Sequence, residues 1–240
     1  MNTTVKPYAG QGSKREQVER MFDNISPKYD LLNRLLSMGI DQGWRRKVVR
    51  AIAQEPVDRL LDVATGTADL AIMATRAATH VTGADISAGM LAQGKVKVEK
   101  AGLANRIELV QADAADMPFP DGSFDAATVA FGARNFQDLQ QGILGMARVL
   151  RPGGRLFVLE FSRPQHAPFK QLFHFYFHRI LPLIGRLVSK DHAAYTYLPE
   201  SVDAFPQGAA FEDVLRSCGL QEVRSRRLTF GVATLYSARK

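Results

Sequence analysis

Three short β-forming runs in the first half of the chain each end on an aspartate: Asp62 in Leu60-Leu61-Asp62-Val63, Asp85 after His80–Ala84, and Asp113 after Ile107–Gln111. Between the first two lies Ala64-Thr65-Gly66-Thr67-Ala68-Asp69, a small-residue turn that opens a helix. Small residues let a ligand approach the backbone there, and the helix N-terminus presents free N–H groups at a positive dipole end. Asp85 stands where a strand-end carboxylate accepts both hydroxyls of a ribose, and Asp113 where an adenine amino group can be held.

Three carboxylates around a pyrophosphate would repel it. The glycine pattern agrees, because Ala64 and Ala68 flank a lone Gly66 and the full G-x-G-x-x-G is absent. The residues therefore argue against dinucleotides and ATP and for a neutral or cationic adenosine, with S-adenosylmethionine as the candidate cofactor. The bland alternative is a tight strand-to-helix turn carrying a surface aspartate.

For three strand ends to share one crevice, the strands must lie parallel and adjacent, with helices as crossovers. The chain alternates in that way: strands are predicted at Arg59–Val63, His80–Ala84, Ile107–Gln111, Ala126–Ala130 and Leu156–Glu160. Helices are predicted at Ala68 to Ala78, at Ala88 to Ala101 behind a capping Ser87, and at Leu139 to Leu150, stopped by Arg151-Pro152-Gly153-Gly154. A further helix near Ala210 to Ser217 and strands at Glu222–Leu228 and Gly231–Ala238 complete an α/β sheet. Residues 1–56 read as an N-terminal helical cap region, and 57–240 as the main domain with an insertion at about 165–206. That insertion is dense in aromatics. From Pro168 to Ser189 it interleaves Phe169, Leu172, Phe173, Tyr176 and Phe177 with Lys170, Arg179 and Arg186, with Pro182 expected to kink it. An apolar lid with basic edges can cover a greasy acceptor and touch an anionic bilayer, although core packing explains the same pattern.

Composition sets the outer bounds. The 240 residues are 46% hydrophobic and 23% charged, which excludes disordered and fibrous classes. No signal peptide or membrane-spanning run is read from the sequence, so a cytoplasmic protein is expected. Cys218 is the one cysteine, which excludes an internal disulfide and a cysteine-based metal site and predicts a buried thiol. The formal charge of +7 suits an anionic partner, phospholipid or nucleic acid, and the basic C-terminal residues Arg224, Arg226 and Arg227 read equally well as a solvated edge.

Four further motifs carry a resemblance over nearly the whole chain: Tyr29-Asp30-Leu31-Leu32-Asn33 with Ser37 and Trp44; Phe131-Gly132-Ala133-Arg134-Asn135; Arg148-Val149-Leu150-Arg151-Pro152-Gly153-Gly154 leading to Glu160-Phe161-Ser162; and Tyr195-Thr196-Tyr197-Leu198-Pro199-Glu200-Ser201. In these the chain resembles the ubiquinone/menaquinone biosynthesis C-methyltransferases of the UbiE/MenG type, and most of all those acting on demethylmenaquinol. It departs from the family at Asp41, where members often carry histidine, and at Ala130, where many carry serine.

The resemblance implies a seven-stranded, Rossmann-like class I methyltransferase fold with its last strand inserted antiparallel. It implies S-adenosylmethionine held by Thr67, Asp85, Asp113 and Ala114, which join Asp62 and Gly66 of the turn read above; no metal is expected. The implied reaction methylates a ring carbon of demethylmenaquinol. Alternatives are C-methylation of a ubiquinone-pathway benzoquinol, or a non-catalytic RNA-binding protein on the same fold. Such a ring needs help to lose its phenol proton. Arg134 is assigned to stabilising the phenolate and Asn135 to bonding a quinol oxygen, with Tyr29, Tyr195 and Tyr197 as substrate contacts. Candidate bases are Asp30, His166, His174, His178 and His192. The expected partners are a prenylated naphthoquinol and, reversibly, an anionic membrane surface at the inner face of the cell membrane. Nucleic acid is not expected, and a homodimer is left open.

Overall fold

A computed structural model describes residues 5–180 and 192–240. Pro182, Arg186 and Ser189 of the insertion lie outside the described residues, as do the side chains of His192 and Tyr195.

Seven strands form one sheet: β1 (Arg59–Val63), β2 (His80–Asp85), β3 (Ile107–Gln111), β4 (Phe124–Ala130), β5 (Leu150–Phe161), β6 (Gln221–Leu228) and β7 (Ala233–Arg239). Their order is β3-β2-β1-β4-β5-β7-β6, with β7 antiparallel to both neighbours and the first five strands parallel. The strand order reverses between β1 and β4, and in open α/β sheets ligands bind outside the strand ends at that point.

Side chains alternate across the sheet. Leu61, Val63, Leu156 and Val158 join one apolar layer, which includes Ile143 and Met146 of α6 (Leu139–Val149). Leu60, Phe157 and Leu159 join the other, with Trp44 and Val48 of α3 (Ile40–Ile52) and Leu70 of α4 (Asp69–Ala74). Burial on both faces is what makes these strands apolar throughout.

Among the boundaries that differ from the sequence expectation, three have a local cause. Helix α4 is shorter because Ala68 is left-handed (φ +66°) and starts it late, while the Thr75 hydroxyl donates to the Ile72 carbonyl at 2.8 Å near its end. Strand β5 begins at Leu150, where that residue already pairs with Phe124 of β4. Strand β7 begins after a 3-10 turn, Thr229–Gly231, in which Thr229 and Phe230 are left-handed.

The cap is built on the strand ends. Helix α1 (Lys14–Ile25) opens on a Ser13–Glu16 capping box. Its Asp23 accepts from the Ser87 hydroxyl at 2.6 Å and the Gly89 amide at 2.9 Å, at the start of α5 (Ala88–Lys100). Helix α2 (Tyr29–Ser37) follows, and its Asp30 accepts from Lys97 of α5 at 2.8 Å. The insertion supplies α7 (Phe169–Phe175), a π turn (Tyr176–Ile180) and α8 (His192–Ala204). Val18, Met21 and Ile25 of α1 pack with Met90, Phe177, Tyr197 and Val202, joining α1 to the insertion in one apolar roof.

A last helix, α9 (Ala209–Ser217), precedes Cys218, which is buried. Arg224, Arg226 and Arg227 are exposed on β6, the edge strand, so these basic residues form a solvated edge. Among the described residues no helix is long and apolar enough to cross a membrane.

Candidate active site

Two cavities meet above the switch point. The narrower is a crevice lined by Val63, Ala64, Gly66, Asp85, Ile86, Met90, Ala112, Asp113 and Ala114. The wider holds about 530 Å³ and is almost wholly apolar, walled by Met21, Ile25, Trp44, Phe161, Phe173, Phe177 and other residues of the cap and insertion. Phe22, Tyr29, Phe131 and Asn135 line both, so anything passing between the cavities passes these four side chains.

In the crevice, Asp85 is buried, and its two oxygens accept from the Gly66 amide at 2.8 Å and the Ser87 amide at 2.9 Å. Burial pushes its carboxyl up to about 6, against the pull of those backbone hydrogen bonds. Asp113 accepts from the Ala115 amide at 2.9 Å and pairs with Arg15 of α1 at 2.7 Å. Ala64 (φ +51°), Gly66 (φ +57°) and Ala68 (φ +66°) are all left-handed, which coils the loop between β1 and α4 tightly. A Cβ on Gly132 would lie 2.4 Å from the Ala64 Cβ, so only glycine lets the two loops approach this closely.

The donor set fits S-adenosylmethionine. Two strand-end carboxylates line the crevice with one cation, Arg15, which is paired to Asp113, rather than the run of backbone donors and cations that cradles a pyrophosphate, and Asn135 adds a buried Oδ1 with no hydrogen-bond partner. Asp85 is placed where a carboxylate can accept ribose hydroxyls and Asp113 where one can hold an adenine amino group, with Ala114 and Gly66 beside them. When bound, the group supplies an electrophilic methyl on a sulfonium.

Asp62 and Thr67 are close by but absent from the crevice lining. Asp62 accepts from the Thr65 and Thr128 hydroxyls, both at 2.7 Å, and burial raises its carboxyl to about 6. It fixes the loop from beneath. The Thr67 hydroxyl donates to Asp30 at 2.6 Å and receives Lys97 at 3.0 Å, on the far side of the turn.

In the wide cavity, Phe131 is left-handed (φ +59°), and the chain turns there into a 3-10 segment, Ala133–Asn135. Its carbonyl accepts from Arg134 Nη1, which also donates to Glu160 Oε1 at 2.8 Å; the Arg134 amide donates to Glu160 Oε2 at 3.3 Å. Lys14 of α1 donates to the Arg134 carbonyl at 2.8 Å, and burial lowers its ammonium to about 8. The buried side-chain atoms without a hydrogen-bond partner, among the described residues, are Arg134 Nε, Asn135 Oδ1 and the Tyr197 hydroxyl. All three residues line this cavity. Burial drives the Tyr29 and Tyr197 hydroxyls above the usual phenol range, so both are neutral donors at physiological pH.

The structure thus brings Arg134, Asn135, Tyr29 and Tyr197 together. Of the candidate bases whose side chains are described, it brings none there. Asp30 is held by Thr67 and Lys97, His166 and His174 are exposed, and His178 stacks on His174 and faces Asp203 at 3.4 Å; none lines either cavity. Trp44 is a core residue that also borders the cavity, its indole N–H donating to Thr229 at 2.8 Å. Sequence reasoning missed Glu160 as the partner of Arg134. The sequence showed only an acid near the end of a predicted strand; that it meets Arg134, on the turn after the neighbouring strand, is set by tertiary contact.

A seven-stranded sheet with antiparallel β7, and a carboxylate-lined crevice at its switch point, define a class I S-adenosylmethionine-dependent methyltransferase. Similar solved folds include an S-adenosylmethionine-dependent methyltransferase from Aquifex aeolicus (TM-score 0.61, 15% identity, covering 94% of this chain and 97% of that one). Another is a possible histamine N-methyltransferase from Thermotoga maritima (TM-score 0.64, 15% identity, 93% and 99%). The chain belongs to the ubiE/COQ5 methyltransferase family, whose profile matches residues 10–240. It is 48% identical to a demethylmenaquinone methyltransferase of Bacteroides fragilis over 98% of this chain and 97% of the relative. It is also 48% identical to one from Thermus thermophilus over 90% and 98%. Identity to a ubiquinone/menaquinone biosynthesis C-methyltransferase of Geotalea daltonii is 47% over 95% and 97%.

Proposed function

We propose that the chain methylates a ring carbon of a prenylated 1,4-naphthoquinol, the acceptor named for its relatives from Bacteroides fragilis and Thermus thermophilus. The observation that carries this reading is the placing of Arg134 Nε, Asn135 Oδ1 and the Tyr197 hydroxyl, all unpartnered and buried, in a largely apolar wall. A greasy ring with a few oxygens suits such a wall, because unpaired buried polar atoms are costly until a ligand pairs them.

In this reading the quinol ring lies against Phe131 and Phe161, whose centroids are 4.5 Å apart. Arg134 donates from Nε to the oxygen beside the reacting carbon and stabilises the phenolate, while Asn135 accepts from a neighbouring hydroxyl or aligns it. The methyl's bond to sulfur breaks as its bond to the ring carbon forms. That carbon then loses its hydrogen as a proton while the phenolate oxygen takes one up, which leaves the methylated quinol and S-adenosylhomocysteine, with one net proton released to solvent. Tyr29, on the wall between the cavities, keeps water from the transfer path.

The prenyl tail leaves through the cavity mouth, where Met38 (73% exposed), Leu172 (62%), Phe175 (57%) and Phe230 (70%) form an apolar rim. With Lys170 and Arg179 exposed beside it, this rim rests on an anionic bilayer and draws the quinol from it, at the inner face of the cell membrane.

The purified protein, supplied with S-adenosylmethionine and each reduced acceptor in turn, tests the reading by mass spectrometry of the products. Methylation of the naphthoquinol faster than the ubiquinone-pathway benzoquinol is expected. The reverse order assigns the chain to the benzoquinol, and no methylated product from either overturns the reading.

A further inference from the structure

We infer that Arg45, held by Asp41, is a second oxygen-binding group in the wide cavity and recognises the ring oxygen remote from the methylated carbon. This rests on the quinol reading above.

Arg45 and Asp41 lie one turn apart on α3, with side chains 9% and 7% exposed, and both line the wide cavity. Arg45 Nη1 donates to Asp41 Oδ2, and the Ser37 hydroxyl donates to Asp41 Oδ1 at 2.6 Å. A guanidinium carries five N–H donors. Among the described residues, the hydrogen bond of this one goes to Asp41, and its carbon stands 5.6 Å from the Phe131 ring centre.

Arg155 gives the contrast. Buried to the same degree, it donates to the carbonyls of Ala51 (3.3 Å), Ile52 (2.9 Å) and Glu55 (3.1 Å) and faces the Glu55 carboxylate at 3.6 Å. That is how a structural arginine inside a protein spends its donors. Arg45 does not, and its unspent donors border a cavity. A buried ion pair in an apolar wall is weak evidence of stabilisation, so packing alone gives no reason for it.

The placing is specific. The Arg45 carbon lies 5.6 Å from Phe131 and the Arg134 carbon 5.5 Å from Phe161, and those rings are 4.5 Å apart. Two guanidiniums therefore border one aromatic floor. Each is balanced by its own carboxylate, Asp41 or Glu160, so neither calls for an anionic ligand. A neutral aromatic ring with oxygens at opposite positions meets both, and a mono-oxygenated ring leaves Arg45 unserved.

The test compares two reduced acceptors that share the reacting carbon and its neighbouring hydroxyl: a short-chain 3-prenyl-1,4-naphthalenediol and the 3-prenyl-1-naphthol that lacks the remote oxygen. Turnover is measured for the parent, Arg45→Gln, Arg45→Lys and Asp41→Asn, with S-adenosylmethionine affinity measured alongside. The expected result is that Arg45→Gln lowers kcat/KM at least fivefold more on the diol than on the naphthol, with cofactor affinity held within about twofold. Arg45→Lys should recover part of the diol's advantage, and Asp41→Asn should lose part of it. Equal loss on both acceptors, or loss on neither, overturns the inference. If Arg45→Gln does not fold, the same ratio is read from Arg45→Lys and Asp41→Asn, and an unchanged ratio in both is equally fatal. A parent that methylates neither acceptor would instead count against the quinol reading itself.

Discussion

Glu160 grips Arg134 twice, taking the guanidinium at 2.8 Å and the backbone amide at 3.3 Å, from a carboxylate that is 1% exposed. The first Glu160 oxygen also receives the Phe161 amide at 2.9 Å, so the acid is itself fixed by the strand that carries it. The side chain of Arg134 is therefore set by a strand on one side and by the left-handed turn at Phe131 on the other. Its Nε is the guanidinium nitrogen left without a partner at the cavity.

Arg134→Ala should consequently cut kcat far more than it weakens cofactor binding, by on the order of 100-fold, as loss of a preorganised donor to developing charge does. Arg134→Lys should rescue poorly, because an ammonium gathers its donors on one nitrogen and cannot both bond Glu160 and the Phe131 carbonyl, as Nη1 does, and present a donor at the separate Nε position facing the cavity. Glu160→Gln should lower kcat too, and it should also destabilise the fold by about 3 kcal/mol, since it strands a buried guanidinium. Steady-state kinetics, calorimetric titration with S-adenosylmethionine and urea denaturation separate these effects. Parallel losses of cofactor affinity and kcat in Arg134→Ala would reduce the residue to a loop brace.

Asp85 offers a cleaner cofactor test. Its Gly66 and Ser87 amide partners fix both oxygens, so Asp85→Ala should weaken S-adenosylmethionine binding by about 1–3 kcal/mol. Because burial lifts this carboxyl to about 6, the ionised form that accepts ribose hydroxyls is depleted below that pH. Affinity should fall as pH drops from 7 to 5 in the parent and stay flat in Asp85→Ala. A parent affinity that does not vary over that range counts against the ribose assignment.

The left-handed alanines show where sequence reading stops. The run from Leu60 to Asp69, the Asp85 and Asp113 strand ends and most element boundaries were legible, because β-rich runs, caps and turn residues act locally. The threonine partners of Asp62 were not legible, because an acid at a strand end reads alike whether it faces a ligand or two threonines, and Thr128 lies 66 residues away. The pairing of Glu160 with Arg134 and the placing of His166, His174 and His178 away from both cavities depend on tertiary contacts that no spacing encodes. The wide cavity itself was half legible: the aromatic density of the insertion was plain, but its union with α1 through Val18 and Met21 was not.

Asp62 yields a stability test with a definite sign. Its carboxyl rises from 3.8 unfolded to about 6 folded, mainly through burial, so between those values the folded chain binds the extra proton. Its contribution to stability is full below about pH 4 and is lost as pH rises through 6. At about 1.4 kcal/mol per unit this amounts to about 3 kcal/mol. Asp62→Asn cannot titrate and still meets both threonine hydroxyls. The gap between variant and parent, from urea denaturation, should therefore move in favour of the variant between pH 4.5 and 7.5. A gap that holds constant across that range would mean that Asp62 stays ionised throughout.

The rim of the cavity gives the last prediction. Phe230 stacks on Phe169 at 3.9 Å between ring centres, yet stays largely exposed, and Leu172 and Phe175 stand out from the neighbouring helix. Fully burying a large apolar side chain is worth about 1.5–3 kcal/mol, and a cation near an anionic leaflet adds about 1 kcal/mol that salt screens. Sedimentation with anionic liposomes should accordingly weaken in Phe230→Ser at any salt. In the Lys170→Gln and Arg179→Gln double variant it should weaken chiefly at low salt. Neither cation lines the cavity, so the double variant should keep its turnover on a short-chain quinol while losing turnover on a long-chain quinol presented in liposomes. If Phe230→Ser and the double variant both sediment as the parent does, this rim is a packing surface and the quinol enters from elsewhere. If the double variant loses short-chain turnover as well, its cations act on the fold rather than on the bilayer.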